Sequence, residues 1–435
     1  MKKLLPLIIS ITLSGVTTLS FADDLAGIYN QAKENDPTLL RTAAERDAAF
    51  EAITSSRSSL LPQINLTASY DINRSDIDSR ESNKLSAGVG FTQELYKRSS
   101  WINLDTAEKQ ARQADSSYAA EQQNLILRVA TAYFEVLRAQ DSLEFVRAEK
   151  AAVARQLEQT KQRFEVGLSA ITDVHDAQAE FDSVLASEVV SENDLINSYE
   201  ALREITGQEH TNLNILDTQR FSADKTQESA QQLLEQAQTE NLTLLTARIS
   251  QDIARDAISL ASSGHLPSLT LDGGYSLTDV TQSSSNYDAN DFNIGLNLSV
   301  PLYTGGNISS QVKQAEYNYV AASESLEATY RKIVTTVRSS NNNINATIGT
   351  IRAYEQSVVS ARSALEATEA GFDVGTRTIV DVLDSTRRLY DANRNLANAR
   401  YNYVISVLNL RQAVGSLSEQ DILDINAGLK VAEVK

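Results

Sequence analysis

Apolar residues alternate with polar ones in four short segments of the chain. In the first pair of segments the apolar side is made of Ile64, Leu66, Ala68, Tyr70 and Ile72, and of Leu85, Ala87, Val89 and Phe91. In the second pair it is made of Leu269, Leu271, Gly273, Tyr275 and Leu277, and of Phe292, Ile294, Leu296, Leu298 and Val300. The alternation predicts β-strands near the ~9–11 residues that cross a bilayer at a tilt. By itself it fits a membrane β-barrel and a soluble β-sandwich equally well.

After each pair of strands the apolar residues step by four and three. The first seam is Leu125, Val129, Ala132, Val136, Ala139, Leu143, Val146, Val153, Leu157, Thr160 and Phe164, and the second runs in the same phase from Ile333 to Phe372. Such heptads predict long helices that supercoil with a neighbour. A second stripe beside the first, from Ile126 to Leu137, predicts that this helix contacts two neighbours, as in a closed ring. With no proline between Trp101 and Glu165, the helix should be ~100 Å long, and a shorter one should return from Asp173 to Thr206.

The chain contains an internal duplication. Segment 33–66 runs parallel to 238–271 at an offset of 205, and "LREITG" (202–207) parallels "LRQAVG" (410–415) at an offset of 208. We therefore interpret 23–207 and 229–415 as two copies of one unit, each with an equatorial helix, two barrel strands and a long helical hairpin. Residues 208–228 are then a linker, and 416–435 a C-terminal tail.

Composition restricts the function further. The 435 residues include no cysteine and carry a net charge of −18. Residues 1–22 have the pattern of a secretory signal peptide, and removing their two lysines gives −18 − 2 = −20. We expect an exported protein without disulfides, and so acidic a chain is a poor partner for nucleic acid. No later stretch reaches the ~20 apolar residues of a membrane helix, so insertion would use strands.

Four strands per chain are too few for a closed membrane barrel, since the smallest have ~8 and are filled by side chains. Three chains give 3 × 4 = 12 strands with room for a lumen. The sequence therefore predicts an α+β membrane protein. We expect a homotrimeric 12-stranded β-barrel, four strands per chain, continued by a long α-helical barrel.

Several motifs carry a family resemblance over nearly the whole chain: "GHLPSL", "VPLYTGG", "SQVKQAEYNYVAASESLE", "GTRTIVDVLD" and "LANARYNYV". They are similar to the outer membrane factor family of trimeric efflux and secretion channels. The resemblance implies an outer-membrane location, a long periplasmic extension and an equatorial layer built by 208–262 with the two chain ends. It also implies an exit duct for tripartite drug efflux pumps and type I secretion. The expected partners are a periplasmic adaptor protein, an inner-membrane efflux pump or ABC-type exporter, and outer-membrane lipid.

Two related segments, "RFEVGLSAITDVHD" (163–176) and "GFDVGTRTIVDVLD" (371–384), are predicted to be the periplasmic hairpin tips. The resemblance implies a gate there. The lock residues would be Thr172, Asp173, Phe372 and Arg377, with Arg400 a weaker candidate. Asp381 and Asp384 would form a cation-binding constriction ring. The adaptor would contact Val166, Gly167, Leu168, Val374, Gly375 and Thr376.

Two residues depart from the family pattern. Phe372 replaces a tyrosine, so a hydroxyl group of the lock is missing and the resting tip need not be fully closed. Asp176 stands where an amide is expected and adds a carboxylate near the tip, with a role that the sequence leaves open.

Other interpretations remain for these residues. Thr378–Asp381 fits a capping box, in which Asp381 only satisfies a backbone donor, while Asp384 and Arg377 are then ordinary solvated side chains. A trimeric coiled-coil adhesin or surface stalk would share the strands and the heptads. An enzyme is not expected, because the histidines His175, His210 and His265 are scattered. We expect no cofactor and no structural metal.

Overall fold

The computed structural model describes residues 23–74, 81–282 and 285–431. The predicted signal peptide lies outside them, as do 75–80 and 283–284 in the links between paired strands. The first half contains α1 (Leu25–Asn35), α2 (Pro37–Ser58), β1 (Gln63–Asn73), β2 (Ser82–Tyr96), α3 (Arg98–Glu165), α4 (Ile171–Thr206) and the short strand β3 (Ile215–Leu216). The second half contains α5 (Ala230–Glu240), α6 (Leu242–Ser263), β4 (Ser268–Gln282), β5 (Tyr287–Ser299), α7 (Asn307–Asp373), α8 (Ile379–Val414), α9 (Glu419–Ala427) and β6 (Leu429–Lys430).

The long strands form one antiparallel sheet in the order β1-β2-β4-β5. The register places Leu66 opposite Val89, Val89 opposite Tyr275, and Tyr275 opposite Phe292. Because side chains alternate across a strand, all four strands put their apolar residues on the same face. The period-2 prediction is therefore confirmed in every strand, and the sheet has one apolar and one polar face.

The apolar face is closely packed where a glycine meets an aromatic ring. A Cβ on Gly273 would lie 2.4 Å from the Phe91 ring, so a larger residue here would force the ring to move. In the polar face, Gly88 lies opposite Ser276 and Gly90 opposite Gly274. Because these residues have small side chains or none, little side-chain volume projects from the polar face of the two central strands.

The helices form a wall whose order follows from their contacts. The long helix α3 packs along α2 and α4, and also along α6 and α8, while α7 packs along α6 and α8. The wall therefore has the order α2/α4, α3, α6/α8, α7. Most residues of both stripes predicted for α3 are buried, including Leu125, Val129, Ile126 and Tyr133. The prediction that this helix contacts two neighbours is confirmed.

Two of the four positions in the wall hold a pair of helices stacked end to end, α2 with α4 and α6 with α8. Where α8 ends and α6 begins, Asn241 caps α6 by accepting the Leu244 N–H at 2.9 Å and donates its side-chain amide to the Ala413 carbonyl at 2.9 Å. Where α4 ends and α2 begins, Asp36 caps α2 and forms two 2.9 Å hydrogen bonds with Arg128. The equivalent positions of the two halves thus use an amide in one case and an ion pair in the other.

A belt of short elements surrounds the middle of the wall. Its apolar core joins α1, α3, α4, α8 and the β3–β6 pair. The buried His210 forms a hydrogen bond through each ring nitrogen, with Asp23 at 2.8 Å and with the Thr206 hydroxyl at 3.0 Å. It thereby connects Asp23, the first described residue, to the end of α4. Among the described residues, no helix has both the length and the hydropathy of a membrane span.

Candidate functional site at the hairpin tips

Both long helices end in the same glycine turn. Gly167 and Gly375 each have φ +77°, and the residues after them donate to a carbonyl five residues back: Leu168 to Arg163 and Thr376 to Gly371, both at 2.8 Å. This is the Schellman ending of a helix. A Cβ at either glycine would meet nothing within 4 Å, so the left-handed backbone alone requires glycine here.

The predicted adaptor-contact residues are all exposed at the turns. Val166, Leu168 and Val374 are 70%, 71% and 74% exposed, and Gly167, Gly375 and Thr376 are exposed beside them. Apolar side chains at a helical tip with so little cover are typical of a protein-binding surface. The structure thus places these six residues together at one end of the molecule.

Asp381 caps its own helix. Its Oδ2 accepts hydrogen bonds from the Thr378 N–H at 2.8 Å and the Thr378 hydroxyl at 2.9 Å, and the Thr378 hydroxyl accepts from the Asp381 N–H at 3.3 Å. The expected capping box is therefore confirmed. The backbone hydrogen bond from Thr378 lowers the pKa of Asp381, helped by the Thr378 hydroxyl and the charge of Arg377.

Asp384 is held by two arginines that sequence reasoning did not select. Arg387 Nη2 lies 2.8 Å from Asp384 Oδ1, and Arg388 Nη2 lies 2.6 Å from Oδ2. The three residues follow one another at i, i+3 and i+4 on α8, the spacing that brings side chains together on a helix. This spacing alone could have identified Arg387 and Arg388 as partners of Asp384; we call the three residues the Asp384 clamp. Asp384 is therefore an ion-paired carboxylate and not a solvated one.

The first tip has a similar but simpler cap. Asp173 Oδ2 accepts from the Ser169 hydroxyl at 2.7 Å and from the Ala170 N–H at 3.1 Å. Thr172 and Asp176 are exposed. Within the described part of a single chain Asp173 bonds only to these local donors and forms no ion pair with Arg377, so their contact between chains stays a prediction.

Phe372 and its counterpart Phe164 behave differently. Phe164 is 41% exposed, although its seam predicts burial, whereas Phe372 is 9% exposed. Phe372 packs into a cluster with Val153 of α3, Ala177 of α4 and Val382 of α8. The Arg163 guanidinium of α3 lies 4.5 Å from the centre of its ring. Phe372 thus joins the two hairpins through its ring face, and Arg163 is a second residue that the sequence did not indicate.

Arg377 and Arg400 lie far apart. The Arg377 stem covers Gly371, where a Cβ would approach its Cγ to 2.8 Å. Arg400 lies 21 residues beyond the start of α8, or ~30 Å along the helix axis. It pairs with Glu355 of α7 at 3.6 Å. The structure therefore does not bring Arg400 together with the other predicted lock residues.

One buried acid lies between the hairpins above the tip. Glu149 of α3 is 9% exposed, and burial raises its pKa to about 7. The nearby Asp391 and Glu180 contribute to this raised pKa, while Arg394 and Arg387 oppose it. The described residues include no cluster of three or more histidines and acids arranged to hold a metal ion.

Amphipathic strands continued by two long helical hairpins define the class of outer-membrane channels with a helical extension. The family model for outer membrane efflux proteins matches residues 28–208 and 233–416. The chain belongs to the outer membrane efflux protein family. It matches the family twice, once in each half.

Full-length relatives agree with this assignment. The outer membrane protein TolC of Vibrio cholerae serotype O1 is 72% identical over 437 residues, covering 100% of both chains. The alkaline protease secretion protein AprF of Pseudomonas aeruginosa is 28% identical over 93% of this chain and 86% of its own. The open state of the Neisseria gonorrhoeae MtrE outer membrane channel superposes with a TM-score of 0.77 at 17% identity, covering 92% of this chain and 91% of that one.

The predicted fold class, outer-membrane location and role as an outer-membrane exit duct are confirmed by these findings. The fold is that of the trimeric outer-membrane channels, and the family is one of channels and not of enzymes. The lock, the constriction ring and the adaptor contacts remain predictions.

Proposed function

We propose that three copies close into a single duct that is gated at the hairpin tips. One observation carries this proposal. In the sheet the two free edges are β1 and β5, and in the wall they are α2/α4 and α7. Because β1 follows α2 directly and β5 leads into α7, the sheet and the wall are open along the same two sides. One set of copies can therefore close both layers by a head-to-tail contact.

The free helical side supports the same assembly. On α4, Leu185, Val189 and Ile196 are exposed at positions that share one face of the helix. Apolar residues in such a row indicate burial against another protein surface. In the proposed trimer that surface is the α7 side of the next copy, which exposes Val359.

The gate in this proposal is the contact between the α3–α4 and α7–α8 hairpins. It is held by the cluster around Phe372, by Arg163 on the Phe372 ring, and by Asp173 and Arg377 across the chain contact. Opening moves one hairpin away from the other and exposes these residues. The existence of an open state in MtrE, a channel of the same fold, supports such a movement.

The partners follow from the exposed tips and from the relatives. A periplasmic adaptor protein would bind the exposed Val166, Leu168 and Val374, and would connect the duct to an inner-membrane efflux pump or an ABC-type exporter. AprF is a protease secretion protein and MtrE is a channel. The similarity to these two proteins therefore favours transport of solutes or proteins through the duct.

At the entrance, Asp381 and Asp384 of three copies give 3 × 2 = 6 carboxylates around one axis. Carboxylate oxygens are the ligands that hard multivalent cations prefer, and a ring of like charges focuses a negative potential. We expect the wild-type duct to select cations and to be blocked from the periplasmic side by multivalent cations. The Asp381→Ala, Asp384→Ala double variant should lose the block and part of the selectivity. Single-channel recording in planar bilayers measures both.

The control is Asp176→Ala, which removes a nearby exposed acid and should leave the block unchanged. Block of the double variant at the wild-type cation concentration would show that these acids do not form the constriction. The two carboxylates would then have only the local roles described above. A surface stalk, the competing function, would conduct no ions at all.

A further inference from the structure

The entrance helix α8 differs in charge from its counterpart α4. The first sixteen residues of α4 (171–186) contain four acids and no lysine or arginine, a charge of −4. The first sixteen residues of α8 (379–394) contain Asp381, Asp384 and Asp391 together with Arg387, Arg388 and Arg394, a charge of zero. The helix proposed to carry the acidic ring is therefore electrically balanced, and the other tip helix is not.

The balance is built by direct contacts. Arg387 and Arg388 each bind a different oxygen of Asp384, at 2.8 and 2.6 Å, so both carboxylate oxygens already have a cationic partner. Charge-assisted contacts of this kind compete with an added cation for the same lone pairs. Of the two acids at the entrance, only Asp381 keeps a carboxylate without an arginine within salt-bridge distance in the described chain.

The position of Arg388 matters as well. It lies seven residues after Asp381, which places both on the same face of α8 with Arg388 ~10 Å further along the helix axis. Its side chain is 74% exposed, so its charge faces solvent. If Asp381 lines the entrance, as proposed above, Arg388 lines the duct two turns further in.

From this geometry we infer that Arg387 and Arg388 are specificity-determining residues of the duct entrance. They weaken Asp384 as a cation ligand and place a ring of positive charge behind the acidic ring. The entrance then prefers cations only modestly and admits anionic solutes more readily than six free carboxylates would. The inference rests on the proposed constriction at Asp381 and Asp384.

The test compares purified full-length channels in planar bilayers. The Arg387→Gln, Arg388→Gln double variant should raise the cation-to-anion permeability ratio, measured from the reversal potential in a salt gradient. It should also lower the half-blocking concentration of a trivalent cation, hexaamminecobalt(III), by roughly three- to tenfold. The Arg387→Lys, Arg388→Lys variant retains the charge and should stay near wild type.

A matched control removes two arginines from exposed i,i+4 ion pairs elsewhere. These are Arg41, which pairs with Glu45 on α2, and Arg331, which pairs with Glu327 on α7. The Arg41→Gln, Arg331→Gln variant should have wild-type selectivity. An equal effect in this control would reduce the inference to a general change of net charge and overturn it.

Asp384→Asn separates the inference from the proposed constriction. In the wild-type background it frees two arginines, so selectivity should shift toward anions. In the Arg387→Gln, Arg388→Gln background it removes a free carboxylate and should chiefly weaken the cation block. Additive effects would contradict the clamp. Loss of block in Asp381→Ala, Asp384→Ala with no effect of the arginine variants would overturn this inference alone, whereas no block or selectivity change in any variant would overturn the constriction too.

Discussion

At the scale of single residues, the acids of the tips form their hydrogen bonds and ion pairs with neighbouring residues of their own tip. Asp381 accepts two hydrogen bonds from Thr378, Asp173 accepts from Ser169 and Ala170, and Asp384 binds two arginines. A charged ring in the assembled duct would thus be made of carboxylates whose orientation is already fixed within each chain. Fixed orientation favours a selective entrance, since little ordering entropy is lost when an ion arrives.

Glu149 gives the tip region a pH dependence. Its pKa of about 7 in the folded chain lies above the unfolded value of 4.5, so the folded chain holds a proton between these pH values that the unfolded chain has lost. Stability therefore decreases as pH rises through this window. We predict that Glu149→Gln removes this decrease and stabilises the protein at pH 8 by on the order of 1–3 kcal/mol.

The measurement is urea unfolding followed by helical circular dichroism at pH 5 and pH 8. Glu158→Gln, an exposed acid on the same helix, should keep the wild-type pH dependence. If Glu149→Gln and wild type change equally between the two pH values, the buried carboxyl does not titrate in this range.

Residues within one helical turn were predictable, and residues from distant elements were not. The capping box of Thr378 and Asp381 follows from their spacing, and the clamp on Asp384 could have been found by the same rule. The contact of Arg163 with Phe372 joins residues 209 positions apart in the sequence. No local pattern reports such a contact, because it depends on how two hairpins pack.

At the scale of elements, the two hairpins have the same design but different environments. Both end in a glycine turn with φ +77°, yet only the second buries its phenylalanine. Alternation and heptad spacing predicted the four long strands and the two long helical hairpins, since these periods directly record which face is apolar, but they did not indicate α2 and α6 as further helices of the wall. They could not predict which neighbour each face would meet. For the same reason the sequence pattern did not predict that α6 stacks on α8 through Asn241.

The contact between the hairpins leads to a prediction about the gate. Arg163→Gln removes the cation from the Phe372 ring, a contact worth ~0.5–2 kcal/mol, and Arg377→Ser removes the predicted cross-chain partner of Asp173. Each change should raise single-channel conductance modestly. Lys161→Gln, an exposed lysine two positions from Arg163 on α3, should not. Wild-type conductance in both Arg163→Gln and Arg377→Ser would remove these residues from the gate.

At the scale of the whole molecule, one chain is an open structure. Its sheet exposes Ile64 and Leu66 on edge strand β1 and Phe292 and Leu296 on edge strand β5, all on the apolar face. Unpaired edges with exposed apolar residues invite pairing with another chain. The helical wall is open on the same two sides. The trimer predicted from strand number alone is thus supported by the matching edges of both layers.

The mass of the detergent-solubilised complex tests this account most directly. Native mass spectrometry of the purified full-length product should find a species of three mature chains, because three copies give twelve strands and a hollow barrel. Denaturing the same sample provides the control, since it should give the mass of one chain. A native mass of three chains is the predicted result, and a native mass of one or two chains would contradict the account.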